Sequence, residues 1–428
     1  MSFLPTSVAR SRRSFKAVAS GIALVGVSAL VLSGCAAPAE EEPADDASSS
    51  APADDLTLKI GTMLPVTGNL AFLGPPEIAG VQYAVSQINE AGLGLDVEVV
   101  EGDSGDTDNK AYETEVPRVL GEDVQAIIGA ASSGVSLQFI DQVTGAGVIQ
   151  FSPANTSAEF TDYDDNGLYF RTAPSDVLQG EVLGNLIAED GHQTLGMIVL
   201  NDSYGTGLAG YTQEAFEAAG GEVVAQATYN TGDSSFDAQI SEVVAADPDA
   251  IALITFEEVA TIIPNLVSQF PAEDLYFVDG NLANFGEDFP AGTLTGAKGT
   301  LPGLSIDSIG AFTDELNTWY EGEGNPALEE FSYAAESYDA VMLLALASMA
   351  AGSTDAADIA ASLQEVSGGS GEGETCDTFE ACAEIIQGGG TADYDGISGP
   401  ITFDENGDPT EATIGIYQYG EDNTYGAY

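Results

Sequence analysis

The residues of this chain best suited to covalent chemistry are its three cysteines. Leu32-Ser33-Gly34-Cys35 closes an apolar run that follows a basic tip. A thiol in that setting is a lipid acceptor, and cleavage just before Cys35 would make it the mature N-terminus. Cys376 and Cys382 lie close together in a Gly-rich stretch. Outside the cytoplasm such a pair closes a disulfide. Zinc is the other use of paired cysteines, but the single histidine, His192, is remote and no second pair exists.

Other chemical patterns fall short. Gly205-Thr206-Gly207-Leu208-Ala209-Gly210 matches a dinucleotide-binding turn, which also needs an acid at the tip of the next strand. That strand ends near Tyr229-Asn230 and offers none, so the glycines read as a strand-to-helix turn. Asp404, Asn406 and Asp408 open like a calcium loop, but Pro409 holds the glycine position and Gly415 the place of the bidentate Glu. A solvated turn is the expectation. Asp103, Asp106 and Asp108 also have the wrong spacing. Neither H-E-x-x-H nor G-x-S-x-G occurs. His192 sits in a polar helix exit, where it reads as a surface cap rather than a base. No catalytic residue, metal or cofactor is expected.

The elements behind these residues alternate. Leu56–Gly61, Leu95–Glu101, Val124–Ile128 and Val148–Phe151 read as short apolar strands. Helices are expected at Pro75–Ala91, at Lys110–Leu120 and from about Val135. A second series begins after Arg171-Thr172-Ala173-Pro174-Ser175-Asp176. Its strands are Leu195–Leu200, Glu222–Ala227, Ala250–Ile254 and Leu275–Val278. Its helices are Val177–Glu189, Gly207–Ala219, Phe236–Ala245 and Val259–Phe270. Longer helices follow at about Phe312–Tyr320 and Phe331–Ala351, then strands at Gly399–Phe403 and Thr413–Tyr419. Repeated β-α-β units with apolar strands specify an α/β fold of parallel sheets covered on both faces.

The N-terminal tip carries Arg10, Arg12, Arg13 and Lys16. Ala17 to Ser33 fits a signal h-region better than a membrane span of about 20 residues, and no later apolar run is expected to span a bilayer. Arg12-Arg13 also suits a twin-arginine tip. Residues 1–34 therefore read as a lipoprotein signal. Residues 35–55, the lipidated cysteine and an acidic segment without aromatics, read as a disordered tether reaching roughly 25 Å. The formal net charge is −60. Beyond the signal the only basic residues are Lys59, Lys110, Arg118, Arg171 and Lys298. Nucleic acid and anionic membrane surfaces are excluded as partners, because both require clustered Lys and Arg.

From Leu56 onward the chain resembles the type I periplasmic binding proteins, and most closely the branched-chain amino acid binding lipoproteins of ABC importers. The resemblance rests on Leu64-Pro65-Val66-Thr67-Gly68, Phe72-Leu73-Gly74-Pro75-Pro76, Ala126-Ile127-Ile128-Gly129, Phe151-Ser152-Pro153-Ala154, Asn201-Asp202-Ser203-Tyr204-Gly205 and Tyr333-Ala334-Ala335-Glu336-Ser337-Tyr338-Asp339-Ala340. It implies two Rossmann-like lobes joined by three crossovers, with ligand in the cleft. Lobe 1 would hold residues 56–173 and 302–408, lobe 2 residues 174–301 and 409–428. The expected activity is capture of a free amino acid, of the branched-chain or another aliphatic class, and delivery to an ABC permease by a monomer. The same fold could serve amides, urea, another small polar solute or a membrane sensor. An extracellular hydrolase is the reading from another class.

The resemblance also implies site residues. Ser133, in Ala131-Ser132-Ser133-Gly134, would bind the ligand carboxylate at a helix N-terminus; a plain helix N-cap is the structural alternative. Asn155 and Thr156 would meet the amino group, the matching segment offering it a main-chain carbonyl and a hydroxyl. Tyr204 aligns with a cleft tyrosine, and Asp279 with the acid that pairs the ammonium. Phe72, Leu73, Phe256 and Tyr333 are candidates for the side-chain pocket, with core packing as their alternative.

Overall fold

The structure, a computed structural model, describes residues 56–371 and 373–428. Cys35, the signal and the tether lie outside the described residues. Two large sheets dominate. The first contains β1 (Leu56–Met63), β2 (Leu95–Val100), β3 (Ala126–Gly129), β4 (Ile149–Ser152) and β5 (Tyr169–Arg171). Its order is β2-β1-β3-β4-β5, and every pairing is parallel. The second contains β6 (Thr194–Leu200), β7 (Glu222–Tyr229), β8 (Ala250–Ile254), β9 (Leu275–Phe277) and β10 (Lys298–Pro302). A small sheet holds β11 (Glu374–Cys376), β12 (Ala392–Gly396) and β13 (Gly399–Pro400). The chain then returns to pair β14 (Ile414–Tyr419) antiparallel to β10, with β15 (Tyr425–Ala427) outside it. The second sheet runs β15-β14-β10-β9-β8-β6-β7.

Helices cover both sheets, which is why the strands are apolar on both faces. On one face of the first sheet α1 (Gly74–Ala91) packs on α9 (Ala334–Ala351), with α8 (Gly310–Gly322), α10 (Ala356–Val366) and α11 (Phe379–Gln387) beside them. The other face carries α2 (Tyr112–Leu120) and α3 (Ser133–Gly145). On the second sheet α4 (Asp176–Glu189) and α5 (Ser203–Ala218) pair, while α6 (Asp237–Ala245) and α7 (Val259–Leu266) cover the opposite side. Contrary to expectation, α9 is long and apolar enough to cross a membrane by composition. It is 83% buried in the protein and serves as the core of the first half.

The chain passes between the two sheets three times: at Thr172–Ser175 between β5 and α4, at Gly303 after β10, and at Asp408–Thr413 before β14. Each sheet has its parallel strands in the 2-1-3-4-5 pattern. That pattern puts the loop-rich carboxyl ends of the strands at a topological switch point, where ligands of open α/β sheets bind. The carboxyl ends of both sheets face one another here.

Some local expectations change. The glycine-rich run 205–210 is not a turn. It lies inside α5, which starts at Ser203 because Asp202 caps it, accepting from the Gly205 N–H at 2.7 Å. Gly205 is required by close approach: a Cβ there would stand 2.1 Å from the Leu200 carbonyl oxygen. His192 is half-buried rather than a free surface cap, with Nε2 3.7 Å from Asp274 and its ring edge-on to Tyr276. Asp404 does form a turn, accepting from the Asn406 and Asp408 N–H groups. Asp408 is not solvated, because its carboxylate pairs with Arg171.

Candidate functional site

Two strand-end loops of the first sheet build one wall of the cleft. β3 leads through Ala131 and Ser132 into α3. Ser132 is the N-cap, accepting from the Val135 N–H at 3.3 Å. That leaves Ser133 in the first turn, with its Oγ turned to the neighbouring loop, where it accepts from the Ser157 N–H at 3.3 Å. The capping role expected of a serine here is thus filled by Ser132, not Ser133. After β4 the chain supplies Ala154 and Thr156. Among the described residues the Ser133 and Thr156 N–H groups have no acceptor, while the Thr156 hydroxyl is turned to the Asp176 carboxyl. Unpaired donors beside a helix N-terminus form an anion site.

The opposing wall comes from the second sheet. Asp279 follows β9 and is 4% exposed. Its Oδ1 accepts from Tyr204 Oη at 2.7 Å and Gln179 Nε2 at 3.0 Å, and its Oδ2 from Tyr333 Oη at 2.7 Å. Burial raises the Asp279 carboxyl, and these three donors oppose that shift. Burial, followed by the Asp279 charge, pushes both tyrosine hydroxyls well up, so each remains a donor. Tyr204 stacks on Phe256 with centroids 5.2 Å apart and 19° between planes. A second acid, Asp176 at the start of α4, is wholly buried, and burial with the Asp279 charge raises it well above the ordinary range. Of the two, Asp279 lines the cleft and gives this wall its acceptor for a cation.

Leu70, Leu73, Ala131, Ala154 and Tyr333 pack into the same apolar cluster as the core of the second half. The cleft is therefore shut. The space left there is only about 10 Å³, and its lining includes Ser133, Thr156, Tyr204, Asp279, Leu73, Phe256 and Tyr333, so seven sequence-derived candidates meet there. Asn155 and Phe72 do not. Asn155 is fully buried, and its amide is committed within the first half: Nδ2 donates to the Ala130 and Ala131 carbonyls at 2.9 and 2.8 Å, and Oδ1 accepts from Tyr169 Oη at 3.0 Å. Phe72 lines a separate outer groove with Pro75, Pro76 and Leu328. Tyr333, expected to wall the pocket with its ring, also donates its hydroxyl to Asp279. Leu70, Gly280 and Gln179 were missed. For Gln179 no local signal exists, since it reaches Asp279 from 100 residues away.

A closed cleft with anion donors on one side and a buried acid on the other suits the binding of a small solute. The periplasmic binding protein family model matches residues 57–422, and the chain belongs to that family. It is 26% identical over 376 residues to the Leu/Ile/Val-binding protein homolog 1 of Brucella abortus, covering 86% of this chain and 92% of the relative. Two solved structures share the fold. One is the branched-chain amino acid binding protein of Streptococcus pneumoniae in complex with isoleucine (TM-score 0.67, 23% identity, 87% of this chain and 99% of the other). The other is a solute-binding protein of R. palustris in complex with benzoate (TM-score 0.67, 18% identity, 87% and 96%). The family's name places such proteins outside the cytoplasm.

Proposed function

We propose that this protein is the substrate-binding lipoprotein of an ABC importer, taking a free aliphatic amino acid of the branched-chain class. One observation carries the reading: the same closed cleft is lined by donors for an anion at Ser133 and Thr156 and by a buried acid for a cation at Asp279. A zwitterion satisfies both, and Leu70, Leu73 and Phe256 suit an aliphatic side chain. The residues 56–173 with 302–408 form one lobe, and 174–301 with 409–428 the other. Closure on the ligand draws on differential affinity for the shut state. The closed monomer is then recognised by the permease, while Cys35 carries the lipid anchor and a Cys376–Cys382 bridge closes the loop before α11. Nothing is turned over.

A second reading is favoured by the neighbour that holds benzoate: a small carboxylate without an ammonium, bound with a protonated Asp279. Thermal-shift and calorimetric screening against amino acids, amides, urea and benzoate separates the two. Ligand at about 100 times its Kd adds roughly 2.7 kcal/mol. Stabilisation by leucine, isoleucine or valine supports the first reading. A shift with benzoate alone, or with no amino acid, overturns it.

A further inference from the structure

The anion site contains no cation, yet a fully buried one stands directly behind it. Arg171 ends β5 and is 0% exposed. Its Nη1 donates to the Ser157 carbonyl at 2.8 Å and the Asn155 carbonyl at 3.3 Å. The carbonyl between them, that of Thr156, accepts from the Asp176 N–H at 2.7 Å. Three consecutive carbonyls of the site loop are thus drawn toward the segment that runs from β5 into α4. On the other side of the same loop, the Ser157 N–H meets Ser133 Oγ and the Thr156 N–H has no acceptor among the described residues.

We propose that Arg171 is a positioning residue for the carboxylate of the ligand: it holds the Asn155–Ser157 peptides so that their N–H groups face Ser133 and the cleft. The guanidinium does not touch the ligand. Its charge is also balanced, since Nε and Nη2 form a bidentate pair with Asp408 at 2.6 and 2.8 Å, and Thr161 Oγ1 donates to the same carboxylate at 2.6 Å. What reaches the cleft is the orientation of peptide dipoles rather than net charge. Only a planar fork spans two carbonyls and a carboxylate at once, so lysine cannot replace it. Asp408 lies at the last crossover, which ties the loop that reads the carboxylate to the hinge.

The proposal rests on the amino-acid reading, and its test separates the two. The affinity ratio of L-leucine to L-leucinamide, measured by calorimetry, reports recognition of the carboxylate. The expected result is at least a tenfold fall in that ratio for Arg171→Lys, and for the double variant Arg171→Gln/Asp408→Asn, which leaves no unpaired buried charge. Leu346→Ala, a core truncation in α9, supplies a comparable loss of Tm and should keep the wild-type ratio. A ratio that is the same in the Arg171 variants as in Leu346→Ala overturns the proposal. If the wild-type protein binds neither probe, the amino-acid reading has failed by itself. Amide hydrogen exchange at Ser157 without ligand then decides: at least tenfold faster in Arg171→Lys than in Leu346→Ala supports the positioning role, and equal rates refute it.

Discussion

Tyr333 and Asp279 are joined across the cleft, the hydroxyl of one donating at 2.7 Å to the carboxylate of the other. The tyrosine stands just before α9, in the half built on the first sheet, in a left-handed backbone conformation with φ of 61°. The aspartate follows β9 in the other half. Their bond fastens the two walls at the acid assigned to the ligand's ammonium.

Removing that hydroxyl should weaken ligand binding more than folding. Tyr333→Phe is expected to cost about 1–2 kcal/mol of affinity, roughly 5- to 30-fold in Kd. Titration calorimetry with the best amino acid ligand measures this. An unchanged Kd would remove Tyr333 from the site.

Asp279→Asn should act in opposite directions on the two properties. Loss of the charge partner should cost about 3–5 kcal/mol of amino acid affinity. The unliganded protein should melt higher, because a buried carboxylate no longer has to be desolvated. A variant that binds amino acids normally would show that the ammonium sits elsewhere.

Glu336 gives a pH dependence with a definite sign. It lies in the first turn of α9, beside the Gly303 crossover, and burial pushes its carboxyl up to about 8, with the Asp339 charge adding to the shift. Glu77, buried without a partner, faces it from α1 and is itself raised well above its usual range, first by burial and then by Glu336. A carboxyl raised on folding binds its proton more tightly in the native state. Stability is therefore lost as pH rises from the unfolded value of 4.5 toward 8. Melting curves between pH 5 and pH 8 (roughly the span of that shift) should fall in the wild type and fall less steeply in Glu336→Gln, where Glu77 and Asp176 still contribute. The difference is on the order of a few kcal/mol. Parallel curves would contradict this assignment.

The cysteine pair is expected to matter modestly. The loop between Cys376 and Cys382 is short, with a separation of 6, so replacing both by serine should cost about 2 kcal/mol in the chain-entropy model. Denaturant unfolding of the double variant, compared with the reduced wild type, measures the cost. Identical midpoints for all forms would mean that the bridge does not form.

Much of the framework was legible because burial on both faces leaves a plain signature. The runs at β3 and β8 are wholly apolar, and both were placed within two residues. Short strands such as β5 and β10 were not visible, because Arg171 and Lys298 interrupt them with charges that only tertiary partners neutralise. The site was legible where a loop follows a strand, as at Ser133, Thr156 and Asp279. It was misread where the function of a side chain depends on a distant residue. Asn155 was expected beside the amino group through the main chain, but its carbonyl accepts from Arg171, whose approach has no local sign. Phe72 looks like a wall until its neighbour Leu73 turns inward instead. The glycines of α5 suggested a turn because their service to packing against Leu200 has no local sign.

The return of β14 to the edge of β10 has a consequence for how the molecule is made. Gln418 bonds to Gly296 at a sequence separation of 122, and the chain visits the other half in between. Neither half is a contiguous stretch of polypeptide, so neither can be finished while the ribosome is still adding residues ahead of β14. Such non-local pairing slows assembly and exposes unfinished edges meanwhile. A translation product stopped before residue 414 should keep a ragged second sheet and fall to proteases, whereas the completed chain can zip its last strands into place in a single late step.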